Sequence, residues 1–245
     1  MEKMKRLSLL IAGLVVTALA LGPGSAAAKI VELGQTSTIA APSCPKGPAN
    51  CNIILERLTA VQTISAGVDP TTVTQDGWLV SFTVGLAQLP GSASSERRLL
   101  HGLDTAYGGT PQLAISVLKP GPKHQFTVVA QSATFHVLPF LGQVLQEPFS
   151  LPPSFTQFTA LPVKRGDVIA LTIPTWAPVL FYNLSASKFS YRQSRMANCK
   201  NPGGSQNAQL TVGAKTRYLC SYTGARVEYG VTEVVNAGYP KKYVH

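Results

Sequence analysis

Acidic residues are scarce in this chain: 11 Asp and Glu stand against 21 Lys and Arg in 245 residues, a formal net charge of +10. The ten carboxylates beyond the first 28 residues, Glu32, Glu56, Asp69, Asp76, Glu96, Asp104, Glu147, Asp167, Glu228 and Glu233, form no closely spaced pair. A glycoside hydrolase needs two carboxylates about 5 to 10 Å apart, so such a site would have to be assembled from distant strands. G-x-S-x-G, HExxH, the phosphate loop and the dinucleotide fingerprint are also missing. These absences leave no catalytic residue to nominate and no cofactor to expect. No Cys-x-x-Cys pair exists and His101, His124, His136 and His245 are scattered, which argues against zinc. The basic residues are mostly dispersed rather than gathered into arms with stacking aromatics, which argues against sequence-specific nucleic-acid recognition.

What is present begins with a three-part leader. Lys3, Lys5 and Arg6 precede an apolar run from Leu7 to about Leu21, and the small residues Ala26, Ala27 and Ala28 follow. That layout predicts a signal peptide over residues 1–28 with cleavage after Ala28; the run is short of the roughly 20 residues a spanning helix needs. Lys29 after the cut offers no lipid-bearing cysteine. The expected destination is extracellular, with noncovalent retention at the cell surface allowed and no membrane span in the mature chain. All four cysteines, Cys44, Cys51, Cys199 and Cys220, lie in the exported part, where an even count favours disulfides. Three pairings are possible. The expectation is the two local ones, Cys44 with Cys51 and Cys199 with Cys220.

Residues 29–51 are rich in small residues and proline and have little periodicity, so they read as a loose lead-in tied by the first disulfide. From Asn52 onward, about eleven short β-rich runs alternate with Gly, Pro, Asn and Asp turns. "WLVSFTVGLAQL" places Val80, Phe82, Val84 and Leu86 on one face, the expected core face. "ARVEYGVTEVV" alternates Val227, Tyr229 and Val231 against Glu228, Gly230 and Thr232. One helical turn is expected around Glu96 to His101. The pattern predicts an all-β, antiparallel β-sandwich of jelly-roll type, a single domain over 52–245. Oligomeric state is not legible.

Within "LPVKRGDVIALTIPTW", Arg165-Gly166-Asp167 matches an adhesion tripeptide, but it sits between two apolar runs with room for only about four loop residues. A tight turn with Gly166 at positive φ is expected. Candidate ligand-binding residues are aromatic or basic. Trp176 lies between prolines at a strand end, where an exposed ring can stack on a sugar. Tyr191, Arg192, Arg195, Arg217, Tyr218, Tyr222 and Arg226 interleave in the C-terminal third, a mixture suited to a basic, aromatic binding face.

The stretches "GWLVSFTVGLAQL", "QLAISVLKPG", "LPVKRGDVIALTIPTWAPVL" and "YRQSRMANC", with the N-terminal "CPKGPANC", resemble a group of secreted proteins encoded in soil actinobacteria. The shared pattern is a Cys-Pro lead-in, "PVKxGxVIALTVPTWAP" and two late cysteines. The resemblance implies export and a β-sandwich and supplies no activity or site residues. Phe82 stands where the group often shows Trp. The function expected from these features is a noncatalytic binding module for an extracellular carbohydrate or anionic cell-envelope polymer. The alternatives are a secreted hydrolase on the same scaffold, or a structural envelope or spore-coat protein.

Overall fold

The computed structural model describes residues 28–43, 53–149, 160–196, 199 and 207–235. The expected leader up to Ala27 and the expected Cys44–Cys51 bridge lie outside them. In chain order the strands are β1 (Lys29–Leu33), β2 (Leu55–Ile64), β3 (Gly77–Gly85), β4 (Gln112–Gly121), β5 (Gln125–Gln131), β6 (Phe135–His136), β7 (Val144–Pro148) and β8 (Leu161–Val163). There follow β9 (Val168–Ala177), β10 (Leu180–Tyr182), β11 (Ser190–Gln193), β12 (Lys215–Arg217), β13 (Cys220–Thr223), β14 (Ala225–Val227) and β15 (Tyr229–Val235). One α-helix, α1 (Ala93–Tyr107), separates β3 from β4.

The chain is an all-β antiparallel sandwich. One sheet runs β1-β15-β3-β7 with β8 also on β3; the larger runs β12-β5-β4-β9-β2-β11-β13 with β6 on β4; β10 and β14 form a separate pair. The chain crosses between sheets from β2 to β3, back at β4, and again at β7 and β9, as jelly-roll strands do. Phe82, Val84 and Val231 from the smaller sheet meet Leu58, Ile115 and Leu171 from the larger in one core.

The two ends of the larger sheet, β12 and β13, are consecutive in sequence, with only Tyr218 and Leu219 between them. Neighbouring Cα atoms are about 3.8 Å apart, so so short a link brings the ends of the sheet close together. The sheet is therefore curled and has two covered faces. Ile169, Leu171 and Ile173 of β9 face the smaller sheet. Val168 and Ala170 face the inside of the curl, where Leu118, Val128 and Tyr218 form a second core.

Phe82, Val84 and Leu86 are fully buried, as the alternation of β3 predicts, but Val80 is half-exposed and Leu79 takes its place inside. The register of β3 against β15 passes from Ser81↔Thr232 directly to Leu79↔Glu233. That bulge leaves Val80 unpaired and exchanges the two faces. Phe82 packs against Phe135 and Phe149, with ring centroids at 4.6 and 5.8 Å, so its position is core rather than an exposed stacking ring.

The opening residues differ from the loose lead-in expected. Lys29–Leu33 pairs with β15, and the chain beyond it crosses β3. A side-chain carbon at Gly85 would lie 1.9 Å from the Ala40 carbonyl oxygen, so this crossing requires glycine. Such an edge strand is held by its backbone ladder, with Leu33 its one buried residue, and leaves no periodic trace. Helix α1 is likewise longer than the single turn expected. It runs 15 residues and buries none of them. Gly102 and the interspersed polar residues weaken its helical signal, and it is tied to the body from outside by side chains such as Trp176 and Arg57.

The tripeptide is a turn. The Asp167 N–H donates to the Lys164 carbonyl and the Lys164 N–H to Asp167 Oδ2, both at 2.9 Å. Gly166 has φ +90°, and the Asp167 carboxylate is turned inward, so an outstretched adhesion display is not formed.

Candidate functional site

Strands β2, β11 and β13, helix α1 and the pair β10–β14 enclose a cleft of about 800 Å³. Glu56, Tyr107, Tyr182, Tyr191, Gln193, Arg195 and Tyr222 supply its polar and aromatic lining. In β2, Arg57 adopts φ 42°, and the register against β9 jumps from Glu56↔Trp176 to Leu58↔Ile173. A bulge of this kind re-aims the side chains beside it. Arg57 Nη2 donates to the Ala106 carbonyl at 3.1 Å and its guanidinium lies 5.9 Å from the Tyr107 ring centroid. The end of α1 is thereby held at the cleft, with Glu56 on the cleft wall.

Arg195 Nη2 donates to Glu56 Oε1 at 2.9 Å, with Arg195 1% exposed. Burial pushes the Glu56 carboxyl up from its ordinary range, and Arg195 partly offsets that. Register pairs Tyr191 of β11 with Tyr222 of β13, and their rings stack at 5.2 Å and 22°. Tyr191 is buried beneath while Tyr222 is half-exposed above. Gln193 Nε2 donates to the Tyr191 hydroxyl at 3.1 Å, leaving the buried Gln193 Oε1 without a partner among the described residues. An unmet acceptor in a polar cleft is a ready hydrogen-bonding point for a ligand donor. Burial raises the pKa of both tyrosines, keeping them neutral.

Cys199 and Cys220 are bonded, as the local pairing predicts. Cys220 lies opposite Gln193, and the Tyr222 hydroxyl donates to the Cys199 carbonyl at 2.9 Å, so the bridge supports the cleft wall. The cysteines are 21 residues apart, and closing such a loop contributes about 3 kcal/mol. The Cys199→Ser, Cys220→Ser double variant should unfold at correspondingly lower urea concentration; an unchanged midpoint would show the bridge carries no such restraint.

The expected binding face divides three ways. Tyr191, Arg195 and Tyr222 meet in the cleft. Trp176, Tyr218 and Arg226 are interior, a correction to their expected exposure. The Trp176 indole N–H reaches Asp104 Oδ1 at 3.0 Å and the Gly109 carbonyl at 3.1 Å, and the ring is fully buried against α1 and the loop that follows it. Tyr218, inside the curl, donates to Gln209 Oε1 and lies edge-on to Phe126. Arg226 donates to the carbonyls of Gly34 and Thr38 and approaches Glu228 at 3.6 Å, clamping the N-terminal segment. Arg192 donates to the Tyr218 carbonyl at 3.0 Å, and Arg217 is exposed at the far edge of the larger sheet. Tyr182 belongs to the C-terminal pool of tyrosines and arginines. Gln193 lies two residues from both Tyr191 and Arg195, a spacing that could have found it. Glu56 and Tyr107 were not legible as site residues, because β2 and α1 come to β11 only through the fold. The bulge at Arg57 has no sequence signal.

Among the described residues no cluster of three His, Cys, Asp or Glu is placed to hold a metal, and no described helix is long and apolar enough to cross a membrane. Comparison with protein-family models, with curated proteins and with solved structures finds no match to this chain.

Proposed function

We propose that the protein is an exported, noncatalytic binding module whose cleft takes a carbohydrate. The observation that carries this is the half-exposed Tyr222 ring, backed by the stacked Tyr191, beside an unmet Gln193 acceptor and the Glu56–Arg195 pair. A sugar ring presents apolar C–H faces and a rim of hydroxyls, which suit an aromatic platform with fixed polar groups around it. Glu56 is the one carboxylate among the cleft-lining residues named above, and it is already engaged by Arg195. That arrangement favours binding over two-carboxylate hydrolysis. The leader, the disulfide and the resemblance to secreted actinobacterial proteins support export.

Purified protein should pellet with at least one of insoluble cell wall, chitin or cellulose and release no soluble sugar. The Tyr222→Ala variant should bind about tenfold more weakly, the equivalent of about 1.4 kcal/mol. Release of sugar would favour a hydrolase, and pelleting unaffected by Tyr222→Ala would remove the cleft from the binding site.

A further inference from the structure

A second surface lies outside the cleft, where β4, β5 and β12 end the larger sheet. Register aligns Lys119 of β4 with Thr127 of β5 and Thr127 with Lys215 of β12. The next row on the same face aligns Gly121, Gln125 and Arg217. Antiparallel partners share a face and strands are about 4.8 Å apart, so Lys119 and Lys215 are about 10 Å apart, with Arg217 about 7 Å farther along β12. All three cations are exposed, and Lys123 is exposed in the β4–β5 turn. Residues 112–131 and 207–223 contain no Asp or Glu. The carboxylate that feels Lys119 is Asp167, and it is turned inward to the Lys164 N–H.

Beside this row, Leu210 is 53% and Val212 63% exposed. Gly213 and Ala214 hydrogen-bond Val128 of β5, so the loop carrying these side chains is fastened to the same edge. Val129, the bulged residue of β5, is 39% exposed next to it. Aliphatic side chains fixed in water beside a row of cations match the two components of an interfacial membrane site: an anionic headgroup layer and an apolar layer below it. A soluble polyanion would engage the cations and leave Leu210 and Val212 in water.

We propose that this edge, through Lys119, Lys215, Arg217, Leu210 and Val212, docks the protein onto an anionic lipid surface. The site is separate from the cleft and operates without it.

The test is sedimentation of the purified protein with vesicles of phosphatidylcholine alone and of phosphatidylcholine with phosphatidylglycerol. Pelleting is expected only with phosphatidylglycerol and should weaken as salt rises. Each of Lys119→Gln, Lys215→Gln and Arg217→Gln should reduce partitioning about fivefold, and the Leu210→Ser, Val212→Ser double variant about tenfold or more. These positions are exposed, and circular dichroism checks that each variant is folded. Tyr222→Ala should pellet with vesicles like the parent, which separates failure here from failure of the carbohydrate proposal. Pelleting that ignores phosphatidylglycerol overturns the proposal. So does binding that loses its cation dependence to soluble polyphosphate while Leu210→Ser, Val212→Ser has no effect; that result identifies a polyanion surface instead.

Discussion

A Trp176→Ala variant is expected to lose about 3–5 kcal/mol of folding stability, the range for deleting a large buried aromatic side chain. Trp176 is fully buried, and its indole N–H is shared between Asp104 Oδ1 and the Gly109 carbonyl. The substitution opens a cavity between β9 and α1. It also removes a tie that holds α1, a helix that buries none of its own residues. Trp176→Phe keeps most of the volume and loses the donor, at about 1–2 kcal/mol. Urea denaturation followed by circular dichroism gives both values. A variant with a parental midpoint and lost polymer binding would restore the exposed-platform role that the position of Trp176 in "IPTWAP" suggests.

Stability should be higher at pH 5 than at pH 8, because of Glu228 and Glu233. Glu233 is fully buried on β15, neither oxygen has a hydrogen-bond partner among the described residues, and burial, with Asp76 nearby, pushes its pKa up to about 7. Burial likewise pushes Glu228 up to about 7, against the opposing pull of Arg226 and an Ala40 N–H. In the unfolded chain both ionise near 4.5. Between 4.5 and 7 the folded state therefore holds more protons than the unfolded one. The stability this provides is complete below about pH 4.5 and is lost as pH rises through 7. With allowance for solvent screening, each carboxyl accounts for about 2 kcal/mol. Urea midpoints between pH 4.5 and 8 measure the slope. Glu233→Gln should flatten it by about half and raise the midpoint at pH 8 while changing little at pH 4.5. A midpoint that rises from pH 5 to pH 8 in the parent would refute the assignment.

The elements legible in the sequence are those whose own residues encode them. The continuous apolar run of β9 reads as a strand, and in the fold it is covered by one core on each face. The alternation across β14 and β15 holds only in part: Val227, Tyr229 and Val231 are all inside, but Glu228 and Gly230, set against them, are buried as well. Gly166 and Asp167 supply their turn locally, and Cys199 meets Cys220 across a short loop. The misread positions depend on partners distant in sequence. Val80 is displaced by a bulge that exists only in the pairing with β15, and β1 is held by a ladder that leaves no pattern in its side chains.

The candidate site was half legible for the same reason. The interleaving of tyrosines and arginines in the C-terminal third grouped Tyr191, Arg195 and Tyr222 as members of one binding face. Alternation does not show whether that face meets water. An ordinary sandwich sheet covers one face, so Tyr218 and Arg226 read as outward; the curl of the larger sheet covers Tyr218, and the N-terminal segment covers Arg226. The sequence by itself determined the β class, the antiparallel strand plan, the turn at Gly166 and the pool of tyrosines and arginines. Only the tertiary structure decided which of them are buried, which line the cleft and which stand on the basic edge, because long-range pairing and closure, not local preference, set the exposure of each face.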